Sequence, residues 1–219
     1  IGDLKNAETL AFYEESFERF KRLFRFKPEL FVCDLHPDYL STRFALDQNT
    51  QLIQVQHHHA HLASGMAEHG LDEKVIGIIL DGTGLGTDGN IWGGEFLIAD
   101  LNEFSRNYYY DPIPLPGGDL VTKQPWRTAF SYLYHYFGLP VFIEEAAIDL
   151  LPDEKQLPLL MQMVDQKINS PLSSGAGRLF DAVSALLGIC RDSSFHAEAP
   201  MRLEAAINKQ CKGKYQIGR

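Results

Sequence analysis

Cysteine, basic charge and long apolar runs are all scarce in this sequence. Three cysteines occur in 219 residues, Cys33, Cys190 and Cys211, and none lies close to another. So sparse and odd a count suits a reducing cytoplasm, the compartment expected here, better than a disulfide framework. No apolar run approaches the roughly 20 residues that span a bilayer, so no membrane partner is expected. Lys and Arg number 20 against 29 Asp and Glu, a net charge of −9, and no basic run is present. Nucleic-acid binding draws on clustered Lys and Arg, so nucleic acid is not an expected partner. Internal repeats and low-complexity tracts are absent, which excludes solenoid arrays. The opening Ile1-Gly2-Asp3-Leu4-Lys5 is neither a signal peptide nor a methionine start, and a piece of a longer protein is expected.

What is present suits one large globular domain or two modest ones, at 45% hydrophobic and 22% charged residues. Leu10, Tyr13, Phe17, Phe20 and Phe24 recur at three- and four-residue steps and predict a core-facing helix over 6–26, stopped at Pro28. Leu30–Cys33 and Leu52–Val55 read as short strands, the first ending at Asp34-Leu35-His36-Pro37-Asp38, where polar groups can face a ligand crevice. A helix is predicted from near His57 to Gly70. Val75–Leu80 is wholly apolar and reads as a central strand, Asp81–Gly89 as a glycine-rich turn, and Ile91–Ala99 as the returning strand. Tyr108–Tyr110 is a further strand candidate, and the proline-rich segment Asp111–Asp119 reads as a loop. Helices are expected at Pro125–Gly138, Glu154–Lys167, Arg178–Leu187 and Glu198–Gln210. The pattern is a mixed α/β part over 1–111, carrying the metal and phosphate motifs, then a mainly helical part over 112–219. The latter is either part of the same domain or a second lobe.

The chemistry concentrates at 55–99. Four of the eight histidines fall between 57 and 61. His57 and His61, four apart, share one face of a helix, a spacing with which paired histidines hold one metal in zinc proteases. Those enzymes place glutamate after the first histidine; here His58 stands there, so that chemistry is excluded. His58 and His59 point elsewhere on the helix and are candidates for orienting the ligands or touching substrate. A surface cluster without a role is the alternative. Asp81, after a buried strand, is costly unless paired or metal-bound. It could complete a site with His57 and His61, hold a metal or a phosphate-linked water, or merely cap a turn. Gly84-Leu85-Gly86-Thr87-Asp88-Gly89 has the G-x-G-x-x-G spacing of dinucleotide sites, but a strand follows it and not a helix. Such a turn can still cradle phosphate through backbone N–H groups, or simply supply positive φ for a hairpin.

Several runs together resemble a known family. They are Cys33-Asp34-Leu35-His36-Pro37-Asp38-Tyr39, Val55-Gln56-His57-His58-His59-Ala60-His61, Leu80–Gly89 with Ile91-Trp92-Gly93-Gly94-Glu95-Phe96, Pro116-Gly117-Gly118-Asp119 with Pro125-Trp126-Arg127, and Gly177-Arg178-Leu179-Phe180-Asp181-Ala182-Val183. They look like the C-terminal, threonylcarbamoyltransferase-like domain of the HypF carbamoyltransferases of [NiFe]-hydrogenase maturation, over nearly the whole chain. The resemblance implies an α/β fold of the actin-like ATPase and sugar-kinase type, a mixed sheet with helices, truncated at both ends. It implies carbamoyl transfer from carbamoyl-adenylate to the C-terminal cysteine of HypE. The adenylate is made from carbamoyl phosphate and ATP in another domain of the same protein.

Carried over by position, His57, His61 and Asp81 match metal ligands, with iron or zinc as the metal. Gly82, Thr83 and Gly84 fall on the phosphate-side turn, and Gly177 and Asp181 fall where related domains hold the adenosine ribose. No residue is expected to be a covalent nucleophile. The family's acylphosphatase-like, zinc-finger and adenylate-forming domains are absent, as are the lobe's first strands, the late glycine-rich segments and a further metal-binding Asp, so the piece alone is expected to have an incomplete nucleotide cleft. Two other readings compete. An O-carbamoyltransferase of the nodulation or antibiotic type also carries such a histidine run, and a non-catalytic scaffold could dock HypE. The 34–39 run and the glycine hairpin favour HypF over the first, and the histidine run argues against the second.

Overall fold

The computed structural model describes residues 4, 6–138, 149–208, 210 and 213. Cys211 and Lys209, within or just past the last expected helix, lie outside the described residues. The chain forms two compact units, one of residues 1–79 and 84–109, the other of residues 80–83 and 110–219. No helix among the described residues is long and apolar enough to cross a membrane.

The first unit opens with α1 (Ala7–Phe24). Asn6 starts it by accepting the Thr9 N–H at 2.8 Å, and Arg25 ends it in the left-handed region at φ 52°. The periodic apolar face is real, but it is not core-facing as expected: no residue of α1 is buried. Tyr13 and Phe17 set their rings against Phe44 at 5.1 and 5.3 Å, and Phe17 meets Phe31 at 5.6 Å. Farther along, Phe20 and Phe24 stack on each other in the open. The stripe is longer than the surface beneath it.

β1 (Leu30–Asp34) and β2 (Gln51–Val55) pair in parallel, Leu30 opposite Gln51 and Asp34 opposite Val55. Between them lies α2 (Leu40–Leu46), a seven-residue helix too short to show a period in the sequence. In a parallel pair both C-terminal ends lie at the same edge. Asp34 therefore sits beside the point where β2 turns into α3 (His57–His69). The Gln56 side chain caps α3 by accepting the His59 N–H at 2.9 Å, and Gly70 closes it at φ 64°.

Two expectations about the next strand need correction. β3 (Val75–Leu85) does not end at Leu80; it continues through Asp81, Gly82, Thr83 and Gly84. Nor is it central: it ends the strand order of its sheet, beside β4 (Ile91–Ala99), and Ile76, Ile78 and Leu80 stay 55–75% exposed on one side. The turn itself is Gly86–Asn90, where the Gly86 N–H donates to the Asn90 carbonyl at 2.8 Å and Gly89 takes φ 80°. β5 (Phe104–Tyr109), a few residues earlier than expected, returns antiparallel to β4 with a bulge at Phe96/Leu97.

In the second unit, β6 (Ile113–Pro114) pairs antiparallel with β7 (Leu172–Ser173), so the proline-rich segment is not wholly irregular. A short 3-10 turn, Gly118–Thr122, leads to α4 (Pro125–Phe137), with proline at its first turn. The helix expected over 154–167 is a 3-10 turn, Glu154–Gln156, followed by α5 (Leu157–Asp165). α6 (Ala176–Leu186) begins two residues before its predicted start, and α7 (Glu198–Ala205) ends before its predicted end. Trp126, Ala129 and Phe130 of α4 pack with Leu157 and Leu160 of α5 and Ala182 and Ala185 of α6 to form the core. The parallel β1–β2 pair, the antiparallel pairs and the flanking helices make the mixed α/β class expected.

Phe130 is wholly buried in that core. Replacing it by alanine is expected to cost about 3–5 kcal/mol, because a core of helices cannot fully close over the void. Urea unfolding followed by tryptophan fluorescence measures the loss, since Trp126 reports on the same cluster.

Candidate metal centre

The first turn of α3 sorts four histidines by helical angle. His57 and His61 fall on one face, ring centroids 4.8 Å apart, with their Nε2 atoms 3.2 Å from each other. His57 turns its other nitrogen to Asp34: Nδ1 donates to Oδ2 at 2.6 Å. Asp34 Oδ1 accepts the His36 N–H at 2.8 Å. Asp34 ends β1, and its pairing with His57 is the site contact that sequence reasoning left out. The signal for it was a carboxylate at a strand's C-terminal end.

His58 and His59 are placed elsewhere, as the helical angle requires. His58 is fully buried, stacked toward Trp92 at 6.4 Å. His59 donates from Nε2 to the Asp100 carbonyl at 2.7 Å and leans on Phe104. Neither points with His57 and His61.

His57, His61 and Asp81 each offer one ligand atom, and those atoms lie within 4.8 Å of one another. Two imidazole nitrogens and a carboxylate oxygen so close form a donor set of borderline hardness, which fits iron or zinc. The two ring nitrogens at 3.2 Å are within hydrogen-bond reach of each other.

Gly82, Thr83 and Gly84 lie within β3 and not on a turn, which corrects the expectation from sequence. The glycines serve close approach here, with no positive φ at 82 or 84. A Cβ at Gly84 would stand 2.6 Å from His58 Cε1 and 3.1 Å from His57 Cβ. In the second unit, a Cβ at Gly177 would meet Gly82 Cα at 3.0 Å, and one at Gly175 would meet the Gly82 carbonyl oxygen at 2.5 Å. Gly177 therefore brings the start of α6 onto the backbone of Gly82. The Gly82 N–H is taken up by the Asp81 carboxylate at 2.6 Å.

Asp88, counted with the glycine turn, holds the hairpin. Its Oδ1 accepts the Asn90 N–H at 3.0 Å and the Trp92 indole N–H at 2.9 Å. Arg106 joins it from β5, with Nη1 3.1 Å from Asp88 Oδ2 and Nε 2.5 Å from Glu95 Oε2. Its guanidinium lies between the rings of Trp92 and Tyr109. Glu95, fully buried, also accepts the N–H groups of Gly93 and Gly94. This buried ion pair went unseen in the sequence because the pairing depends on strand register.

Asp181 is 3% exposed and faces Arg178 Nη2 at 3.0 Å, an ion pair without hydrogen-bond geometry. Burial pushes its carboxyl up to about 6 from 3.8, and the Arg178 charge only partly opposes that. The folded chain thus keeps a proton that the unfolded chain has released between about pH 4 and pH 6. Stability is expected to fall as pH rises through that window. Asp181→Asn should remove the slope, on the order of 3 kcal/mol across the window. Thermal unfolding at closely spaced pH values measures it.

The geometry has close counterparts among known proteins. The family model described as the HypF Kae1-like domain matches residues 1–68. That described as the carbamoyltransferase Kae1-like domain, second subdomain, matches residues 77–218. Carbamoyltransferase HypF2 of Cupriavidus necator is 42% identical, over 93% of this chain and 25% of that protein. Carbamoyltransferase HypF of Rhizobium leguminosarum bv. viciae is 36% identical, over all of this chain and 28% of that protein. The crystal structure of full-length HypF in its phosphate- and nucleotide-bound form superposes with a TM-score of 0.87 at 45% identity, over 93% of this chain and 26% of that one. The crystal structure of T. kodakarensis HypF gives a TM-score of 0.83 at 36% identity, over 93% of this chain and 28% of that one. The chain spans about a quarter of the length of these relatives. With both halves matched and the fold shared, the chain belongs to the HypF family of carbamoyltransferase Kae1-like domains.

Proposed function

We propose that this chain is the carbamoyl-transferring domain of a HypF protein, moving a carbamoyl group from carbamoyl-adenylate to the C-terminal cysteine of HypE. The observation that carries the reading is the convergence of His57, His61 and Asp81 in a chain of this family. Relatives named carbamoyltransferases support the reaction type, and the phosphate- and nucleotide-bound HypF structure supports an adenylate ligand.

The thiolate of HypE attacks the carbamoyl carbon. A C–S bond forms, the C–O bond to the adenylate phosphate breaks, and AMP leaves with the electron pair. The thiolate is a competent nucleophile, so no side chain of this chain need form a covalent intermediate. His57, His61 and Asp81 would hold an iron or zinc ion. Such an ion, when bound, supplies Lewis-acid polarisation of the ligand oxygens and offsets charge on the leaving phosphate. Gly82, Thr83 and Gly84 mark the phosphate side. Gly177 and Asp181 mark the adenosine side, and Gly177 already lies against Gly82. ATP and carbamoyl phosphate are consumed upstream by the adenylate-forming domain of the same protein, and the setting is the cytoplasm.

The double variant His57→Ala, His61→Ala is expected to lose its bound divalent metal; elemental analysis showing wild-type occupancy would overturn the ligand assignment. Within an intact HypF that carries this domain, Asp81→Ala should still form the adenylate but leave HypE uncarbamoylated. Mass spectrometry of HypE decides, and carbamoylation at the wild-type rate would make Asp81 a structural residue.

A further inference from the structure

We propose that Asp34 is the positioning residue of the metal centre, fixing His57 in the Nδ1–H tautomer with Nε2 turned toward His61. The inference rests on the metal-site reading above and adds a residue to it. A carboxylate has only lone pairs to offer, so the 2.6 Å contact between Asp34 Oδ2 and His57 Nδ1 requires the hydrogen on Nδ1. A neutral imidazole then carries its lone pair on Nε2, the atom that lies 3.2 Å from His61 Nε2. Without a fixed acceptor at Nδ1 the ring would populate both tautomers, and half-turns about its Cβ–Cγ bond would take Nε2 off the site. A carboxylate on the far nitrogen of a ligating histidine also raises the basicity of the near one.

Asp34 is itself held, which separates a positioning device from a chance surface pair. Its Oδ1 is tied to the His36 N–H at 2.8 Å. Its backbone is the last rung of the β1–β2 ladder, opposite Val55, and the Leu35 N–H extends that ladder to the Val55 carbonyl at 3.2 Å. Val55 is two residues before His57, so the parallel register sets the distance between carboxylate and imidazole. The pair is also shielded, with side-chain exposures of 16% for Asp34 and 27% for His57. The sequence carries this as a carboxylate ending one strand and a histidine opening the helix after the neighbouring parallel strand.

The test uses the 219-residue chain as wild type, Asp34→Ala and Asp34→Asn. Long-range proton–nitrogen NMR spectra of metal-free protein, labelled with 15N at histidine, read the His57 tautomer directly. Competition with a chromophoric chelator reads zinc affinity. Wild type is expected to show a single Nδ1–H tautomer at His57. Asp34→Ala should show mixed tautomers and bind zinc 10- to 100-fold more weakly. Asp34→Asn keeps the shape and one acceptor oxygen, so it should fall between the two, and it keeps the measurement alive where the alanine variant does not fold. An unchanged tautomer and unchanged zinc affinity in both variants would reduce Asp34 to a strut between β1 and α3 and overturn the proposal. Zinc binding that is absent in wild type, or unaltered in the His57→Ala, His61→Ala variant, would instead sink the metal-site reading, while the tautomer spectra still decide the role of Asp34.

Discussion

The seating of α3 on β3 is the constraint on which the site depends. It is made at positions that have no side chain. A Cβ at Gly84 would drive into the His58 imidazole, and one at Gly77 would lie 2.7 Å from both methyl carbons of Leu62. Both glycines sit in a strand, where glycine weakens backbone preference. That cost is offset by letting the helix come down to the strand backbone with His58 wholly buried between them. Once His58 is fixed there, the rotation of α3 about its axis is fixed too. His57 and His61 then have one direction left, and it is the direction in which their Nε2 atoms meet.

The second unit uses the same device with backbone on both sides. Gly175 and Gly177 bring the chain entering α6 against Gly82, the first at a distance that excludes a Cβ and the second at one that crowds it. Next along α6, Arg178 and Asp181 pair inside the fold, and burial wins over the guanidinium charge in setting the Asp181 carboxyl. A glycine run that looks like loop chemistry is here a packing surface.

How far the sequence reveals all this depends on the range of each interaction. The end of α3 is legible because the closing Gly70 is a local signal, and the His57–His61 pair is legible because helical spacing is local too, whereas the Gln56 cap shows only in the fold. The extent of β3 is not, since Gly82 and Gly84 read as a turn unless one knows what presses on them. Pairings set by strand register are hidden for the same reason. Asp34 meets His57 across 23 residues, and Arg106 reaches Glu95 across 11 and past a bulge. The exposed Phe20, Phe24, Ile76 and Ile78 teach a different point. Periodicity reports what a segment is able to bury, while burial also needs a surface opposite it.

The histidine run shows how one cluster can hold separate jobs without conflict. Successive helical residues turn by about 100°, so adjacent histidines cannot serve one centre, whereas those four apart can. His58 turns inward and becomes core, stacked toward Trp92 with no exposed surface. His59 turns toward the β4–β5 connection and ties α3 to the Asp100 carbonyl. That leaves His57 and His61 exposed enough to accept a ligand yet held at their bases by the two histidines between them. A motif that looks redundant by residue type is therefore divided by geometry. The two inner histidines seat the helix turn on its neighbours, and the outer two are left facing each other as a pair of nitrogens.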